Sequence, residues 1–127
     1  MNHFNRYLNI LFIVFLWSFD AISNDFETSE YEFNYGLSNI NAANAYEKGY
    51  SGAGVTIGIV DTGIAESHSE FEDKYSFGYD YVDNTSVASD PHGHGTHVAG
   101  IAAAAKDGRG MHGVAYGSTL ASGRGLN

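Results

Sequence analysis

Asp90-Pro91-His92-Gly93-His94-Gly95-Thr96-His97-Val98-Ala99-Gly100 gathers half of the chain's six histidines into one short stretch. Histidine is the side chain that takes up and releases a proton near neutral pH, and interleaved glycines let another backbone come close. A polar loop capped onto a helix by Thr96 would account for one isolated histidine, but not for the cluster or its glycines. The second chemical signal is Asp61, which follows the apolar run Val55 to Val60 and opens Asp61-Thr62-Gly63. Functional groups in open parallel sheets collect at the carboxyl ends of strands, and that is where this carboxylate stands.

Three chemistries fit these residues. In the first, Asp61 accepts a hydrogen bond from one nitrogen of His94, fixes the tautomer and stabilises the imidazolium, so that the other nitrogen can deprotonate a nucleophile. A helix start at His94 disfavours the imidazolium while the carboxylate favours it, and such opposed pulls suit a general base. In the second, Asp61-Thr62-Gly63 is the turn of an aspartic protease in which two carboxylates share a proton; it leaves His94 to Gly100 without a role. In the third, His92, His94 and His97 offer three imidazoles to Zn²⁺. The likeness to metallo-β-lactamase-type motifs is partial, because Thr96 stands where those place an aspartate.

The elements that must position these groups follow from periodicity. Val55 to Val60 is apolar on both faces apart from Thr56 and reads as a central strand of a parallel sheet. Phe77 to Val82 and Thr119 to Leu126 are further candidate strands, and Val98 to Ala105 is a helix of small residues suited to close packing on a sheet. Leu37, Ile40, Ala43 and Tyr46 recur at helical spacing, with Ser38 or Asn39 to cap the start and Gly49 to end it. Asn24 to Gly36, with four acidic residues and no cation, reads as an extended acidic lead-in. His68 and His112 have no context beyond polar surface positions.

Residues 1–23 read as a secretory signal: Arg6 in a short n-region, an apolar run over Ile10 to Phe19, and Ala21 and Ser23 before a cleavage at Asn24. That run is shorter than the ~20 residues a spanning helix needs, so no membrane span is expected in the mature chain, which would be secreted or held at a cell surface. Loss of Arg6 and Asp20 cancels, leaving the net charge of −9. An acidic chain of this kind excludes nucleic acid as a partner. The 127 residues contain no cysteine, so no disulfide braces an exported chain.

Ala45-Tyr46-x-x-Gly49-x-Ser51-Gly52-x-Gly54-Val55-x-Ile57, Ile59-Val60-Asp61-Thr62-Gly63-Ile64, His94-Gly95-Thr96-His97-Val98-Ala99-Gly100 and Gly113-Val114-Ala115 resemble, in that order, the N-terminal part of a subtilisin-like serine protease domain. The resemblance covers Leu37 to Asn127. It implies an α/β fold, a three-layer α/β/α sandwich on a parallel sheet ordered 2-3-1-4-5-6-7. About three strands are expected here, with Val55 to Val60 inner among them and the His94 helix inside a left-handed crossover. It implies an Asp-His-Ser triad acting on polypeptide substrates, with Asp61 as the orienting carboxylate and His94 as the general base. His97 becomes a helix-packing residue and His92 a solvent-exposed one.

The family's serine, in Gly-Thr-Ser-Met-Ala-x-Pro, has no counterpart in this sequence; Ser118 and Ser122 read as loop or strand-edge residues. The chain by itself is therefore expected to hydrolyse no peptide bonds, and a secreted non-catalytic pseudoprotease or binding module is the alternative. No cofactor is required for the chemistry. Structural calcium is a family possibility at Lys106 to Met111, although Asp107 is the only carboxylate there and Arg109 an awkward neighbour. The glycine-rich wording of that loop is similar to autotransporter proteases of the family.

Overall fold

Strands form where β-branched and small residues alternate without a break, and one run of this kind, Thr56–Asp61, forms β1. The computed structural model describes residues 25–127, so the expected signal segment lies outside the described residues. After β1 come a 3₁₀ turn at Ser69–Phe71, then β2 (Tyr75–Asp80), a helix at His94–Ala103 and β3 (Thr119–Arg124). Before it lie α1 (Ser29–Phe33), α2 (Tyr35–Asn39) and α3 (Ala42–Glu47), so the His94 helix is α4.

The three strands are parallel in the order β1-β3-β2. This corrects the expectation that Val55 to Val60 is the inner strand: Thr119–Arg124 lies between the other two. Its small Ala121, Ser122 and Gly123 leave room for neighbours on both sides. β1 is also open on one face, where Val60 is 75% exposed. The register sets Asp61 opposite Arg124 and Arg124 opposite Asp80, so the three strands end in a row. Arg124 Nη1 donates to Asp80 Oδ2 and to Asp83 Oδ2, both at 2.7 Å, and ties the end of β3 to the end of β2 and the turn after it.

α4 crosses from β2 back to the sheet and packs on β1 and β3. Its buried positions are Gly95, Ala99 and Ala103, one face at helical spacing. Small side chains there let the helix axis approach Ile59, Ile64, Phe71 and Leu120, which are all buried against it. Fully burying a residue such as Leu120 contributes about 1.5–3 kcal/mol.

The N-terminal segment differs from the extended lead-in expected over Asn24 to Gly36. Thr28 caps α1 by accepting from the Tyr31 amide, and Glu30 and Tyr31 are each only 4% exposed. Glu30 tolerates burial because its Oε1 accepts from the Asp107 amide at 2.9 Å. The helix expected across Leu37 to Tyr46 is divided at Asn41, whose φ of 55° is left-handed, a conformation asparagine adopts more readily than most residues. Leu37, Ala42, Ala43 and Tyr46 then close a second small core with Tyr31.

His112, expected at the surface, is fully buried in this second core. Its Nδ1–H donates to the Gly113 carbonyl at 2.9 Å. The rings of Tyr31, Tyr46 and Tyr116 surround it at centroid distances of 6.0, 5.7 and 5.2 Å. Burial pushes its pKa down, so the neutral form is favoured. Ser118 and Ser122 are buried as well, the latter inside the central strand rather than at a strand edge.

Candidate active site

Asp61 is the last residue of β1, and its position is set by the backbone on both sides. Its carbonyl accepts from Gly125 N at 2.9 Å and Leu126 N at 3.1 Å, which fastens it to the chain leaving β3. Its Oδ1 accepts from Thr62 N at 2.7 Å. The same oxygen lies 2.7 Å from His94 Nδ1. The hydrogen bond from His94, followed by that from the Thr62 amide, holds the Asp61 carboxyl below the usual carboxylate range. An ionised carboxylate can only accept, so the proton between the two groups belongs to Nδ1, and in the neutral ring Nε2 keeps its lone pair.

Two glycines bring His94 to that carboxylate. Gly93 caps α4 with a φ of 93°, a left-handed turn that glycine makes without a steric penalty. Gly95 lies against the Gly63 carbonyl, where a Cβ would collide with the oxygen. The helix start and the strand end therefore touch through backbone. The imidazole of His94 is 58% exposed, open to a reacting group, while the Asp61 side chain is only 12% exposed.

Asp90 and Thr62, which the sequence did not single out, join these elements. Asp90 Oδ1 accepts from the Thr62 hydroxyl at 2.8 Å and from the His92 and Gly93 amides at 3.0 and 2.8 Å. Its Oδ2 accepts from the Thr96 amide at 2.9 Å and from the Thr96 hydroxyl. Burial would raise the Asp90 carboxyl, but the Thr96 hydroxyl and the Gly93 and Thr96 amides outweigh it and hold the group far below the usual range. The only sequence hint was an Asp-Pro pair ahead of a glycine-bounded helix start.

The remaining histidines separate from the pair. His92 is exposed, as expected. His97 is exposed too and is not buried in helix packing: it lies near His94 on the helix surface and lines a cleft of about 470 Å³ with His68, Phe71, Phe33 and Met111. Among the described residues no group of three His, Cys, Asp or Glu side chains could hold a metal ion, so His92, His94 and His97 do not assemble a zinc site. In the Lys106 to Met111 loop, where structural calcium is a family possibility, the one carboxylate is already paired. Both Asp107 carboxylate oxygens accept from Arg109, through its amide and guanidinium. Among the described residues no helix is long and apolar enough to cross a membrane.

Known proteins are similar to this chain over much of its length. The extracellular serine protease of Serratia marcescens is 48% identical over 101 residues, covering 73% of this chain and 9% of that protein. Subtilisin DY of Bacillus licheniformis is 46% identical over 81 residues, covering 64% of this chain and 29% of that protein. The chain thus spans less than a third of the length of either relative. Among solved structures, the MycP3 protease of the type VII (ESX-3) secretion system superposes with a TM-score of 0.64 at 32% identity, over 72% of this chain and 24% of that one. A cold-adapted subtilisin-like serine proteinase gives a TM-score of 0.55 at 40% identity, over 61% of this chain and 27% of that one. Residues 52–127 match the model of the subtilase family, Peptidase S8, which takes in both β1 with Asp61 and the start of α4 with His94, and the chain belongs to that family.

Proposed function

We propose that this chain supplies the aspartate and histidine of a serine-type endopeptidase, with Asp61 as the orienting carboxylate and His94 as the general base. The observation that carries the reading is the 2.7 Å contact between His94 Nδ1 and Asp61 Oδ1, made between a strand end and a helix start. In this role Nε2 of His94 removes the proton of a serine hydroxyl as it attacks the peptide carbonyl, and later returns a proton to the departing amine. Asp61 stays ionised throughout and stabilises the imidazolium that forms in between.

The reading requires a serine nucleophile, and the 127 residues hold no counterpart of the family's Gly-Thr-Ser-Met-Ala-x-Pro. Ser118 and Ser122, at 1% and 4% exposure, are closed to a polypeptide substrate. The 127-residue segment expressed by itself therefore hydrolyses no peptide bonds. The relatives with extracellular names and the expected signal over residues 1–23 support export of this protein as well.

The test is made on the natural full-length protein. A fluorophosphonate probe, which phosphonylates an activated serine with loss of fluoride, labels the parent and not His94→Ala, and peptide hydrolysis falls by about 10⁶-fold in that variant. Asp61→Asn lowers turnover by about 10⁴-fold, the magnitude typical of triad aspartates. Full activity in His94→Ala would overturn the assignment of His94 as the base, and a parent that neither takes the probe nor hydrolyses peptides would favour a non-catalytic binding module.

A further inference from the structure

We infer that Asp90 is the positioning residue of the Asp61–His94 pair, because its carboxylate binds the end of β1 and the first turn of α4 at once and so sets how the two side chains meet. This rests on the reading of that pair as the orienting group and base of a peptidase.

His94 is more than half exposed, so packing alone does not place its ring. Its position comes from the backbone of α4's first turn and from Asp61 itself. Asp90 holds that turn from the α4 side through the amides of His92, Gly93 and Thr96. It holds the β1 side through the hydroxyl of Thr62, the residue next to Asp61. Because the Thr62 hydroxyl gives its proton to Asp90, its lone pairs are free, and it accepts from the Gly95 amide at 3.0 Å. The Thr96 hydroxyl repeats the pattern, donating to Asp90 and accepting from the Ala65 amide at 3.0 Å. Two chains of hydrogen bonds thus run from backbone amide through threonine to one carboxylate, and both cross between the strand-end segment and the helix start.

Only a carboxylate completes this arrangement. The two Asp90 oxygens each receive at least one backbone N–H, and a backbone N–H cannot turn round to accept. Asparagine matches the shape, but its amide nitrogen would face one of those donors whichever way it is flipped. The helix start would then move away from β1, and a displacement of about 1 Å at a reacting group can cost 10²-fold in rate.

The His94 imidazole Nδ1–H proton, followed by ¹H NMR of the full-length protein with ¹⁵N-labelled histidine and assigned by its loss in His94→Ala, reads the pair directly. In Asp90→Asn this signal is lost to solvent exchange while the amide fingerprint of the sheet is retained, and kcat falls by about 10–100-fold with KM little changed. A merely structural residue would lower Tm and leave the signal and kcat in place. If Asp90→Asn does not fold, Thr62→Val decides: it keeps the side-chain volume, removes the β1 link and weakens the same signal, whereas Thr62→Ser restores it. Retention of the parental signal in Asp90→Asn, or in Thr62→Val, overturns the inference. The NMR result does not depend on turnover, so a parent that neither takes the fluorophosphonate probe nor hydrolyses peptides would sink the peptidase reading and leave the positioning role to be judged on the signal.

Discussion

Gly95, in the first turn of α4, is packed against the carbonyl oxygen of Gly63, two residues beyond Asp61, with no room for a Cβ between them. That contact lets a helix start approach a strand end closely enough for a short aspartate side chain to reach an imidazole.

Gly95→Ala is therefore expected to force the helix away from β1. Overpacking of this kind costs about 1–3 kcal/mol, and denaturant unfolding should show that loss together with reduced turnover in the full-length protein. A change to Ala at Gly100, where a Cβ meets nothing within 4 Å, should leave the dyad geometry and turnover unaffected. Equal behaviour of the two variants would refute the close-contact explanation.

His112 makes stability depend on pH in the mildly acidic range. Its folded pKa lies below the ordinary 6.5 because burial penalises the imidazolium. Below that ordinary value the unfolded chain takes up a proton that the folded chain refuses. The contribution is therefore fully present above pH 6.5 and is lost as pH falls toward the folded pKa. Nearby Glu30 counters part of this shift, while Lys106 adds to it. Urea midpoints measured at several pH values should fall less steeply on acidification in His112→Leu than in the parent; parallel curves would show that His112 is not responsible.

Tyr46 makes the corresponding prediction at alkaline pH. Burial, with the neighbouring Tyr116 and Tyr31 phenols, pushes its pKa up to about 12, and its hydroxyl donates to the Val114 carbonyl at 2.9 Å. The folded state keeps its proton while the unfolded chain ionises near 10, so this contribution is present below pH 10 and lost as pH rises toward 12. Tyr46→Phe should cost about 0.5–1.5 kcal/mol at neutral pH and flatten the alkaline decline. An unchanged alkaline slope in thermal unfolding would count against it.

Glu30 links the N-terminal segment to the glycine-rich loop through the Asp107 amide. Glu30→Ala should speed hydrogen exchange at Asp107 and hasten tryptic cleavage after Arg109, at a stability cost of about 1–3 kcal/mol. Protection at Asp107 equal to the parent's would show that the loop is held by other contacts, such as the Lys106 ammonium over the Phe26 ring at 4.9 Å.

The candidate residues of the site were legible because each stands in a motif that is local in sequence. His94, Gly95 and Thr96 are consecutive, and Asp61 directly follows a β-branched run whose strand character depends on its own residues. The small-residue helix could be read for the same reason, although it begins at His94 rather than Val98. The helix break at Asn41 was hidden, since the apolar spacing continues through it and only the backbone conformation of one residue differs.

The sequence alone offered Asp61 and His94 as one of three candidate chemistries, with the family resemblance selecting that pair, and it determined the kind of element carrying each member, since that depends on residue type and near-neighbour spacing. Tertiary structure decided the rest: that β3 lies between β1 and β2, that His112 is buried beneath Tyr31 and Tyr46, and that Asp90 joins Thr62 to the first turn of α4. Strand order and burial are sums over segments far apart in the chain. A carboxylate that bridges a strand end and a helix start has no signature in either one until both are folded together.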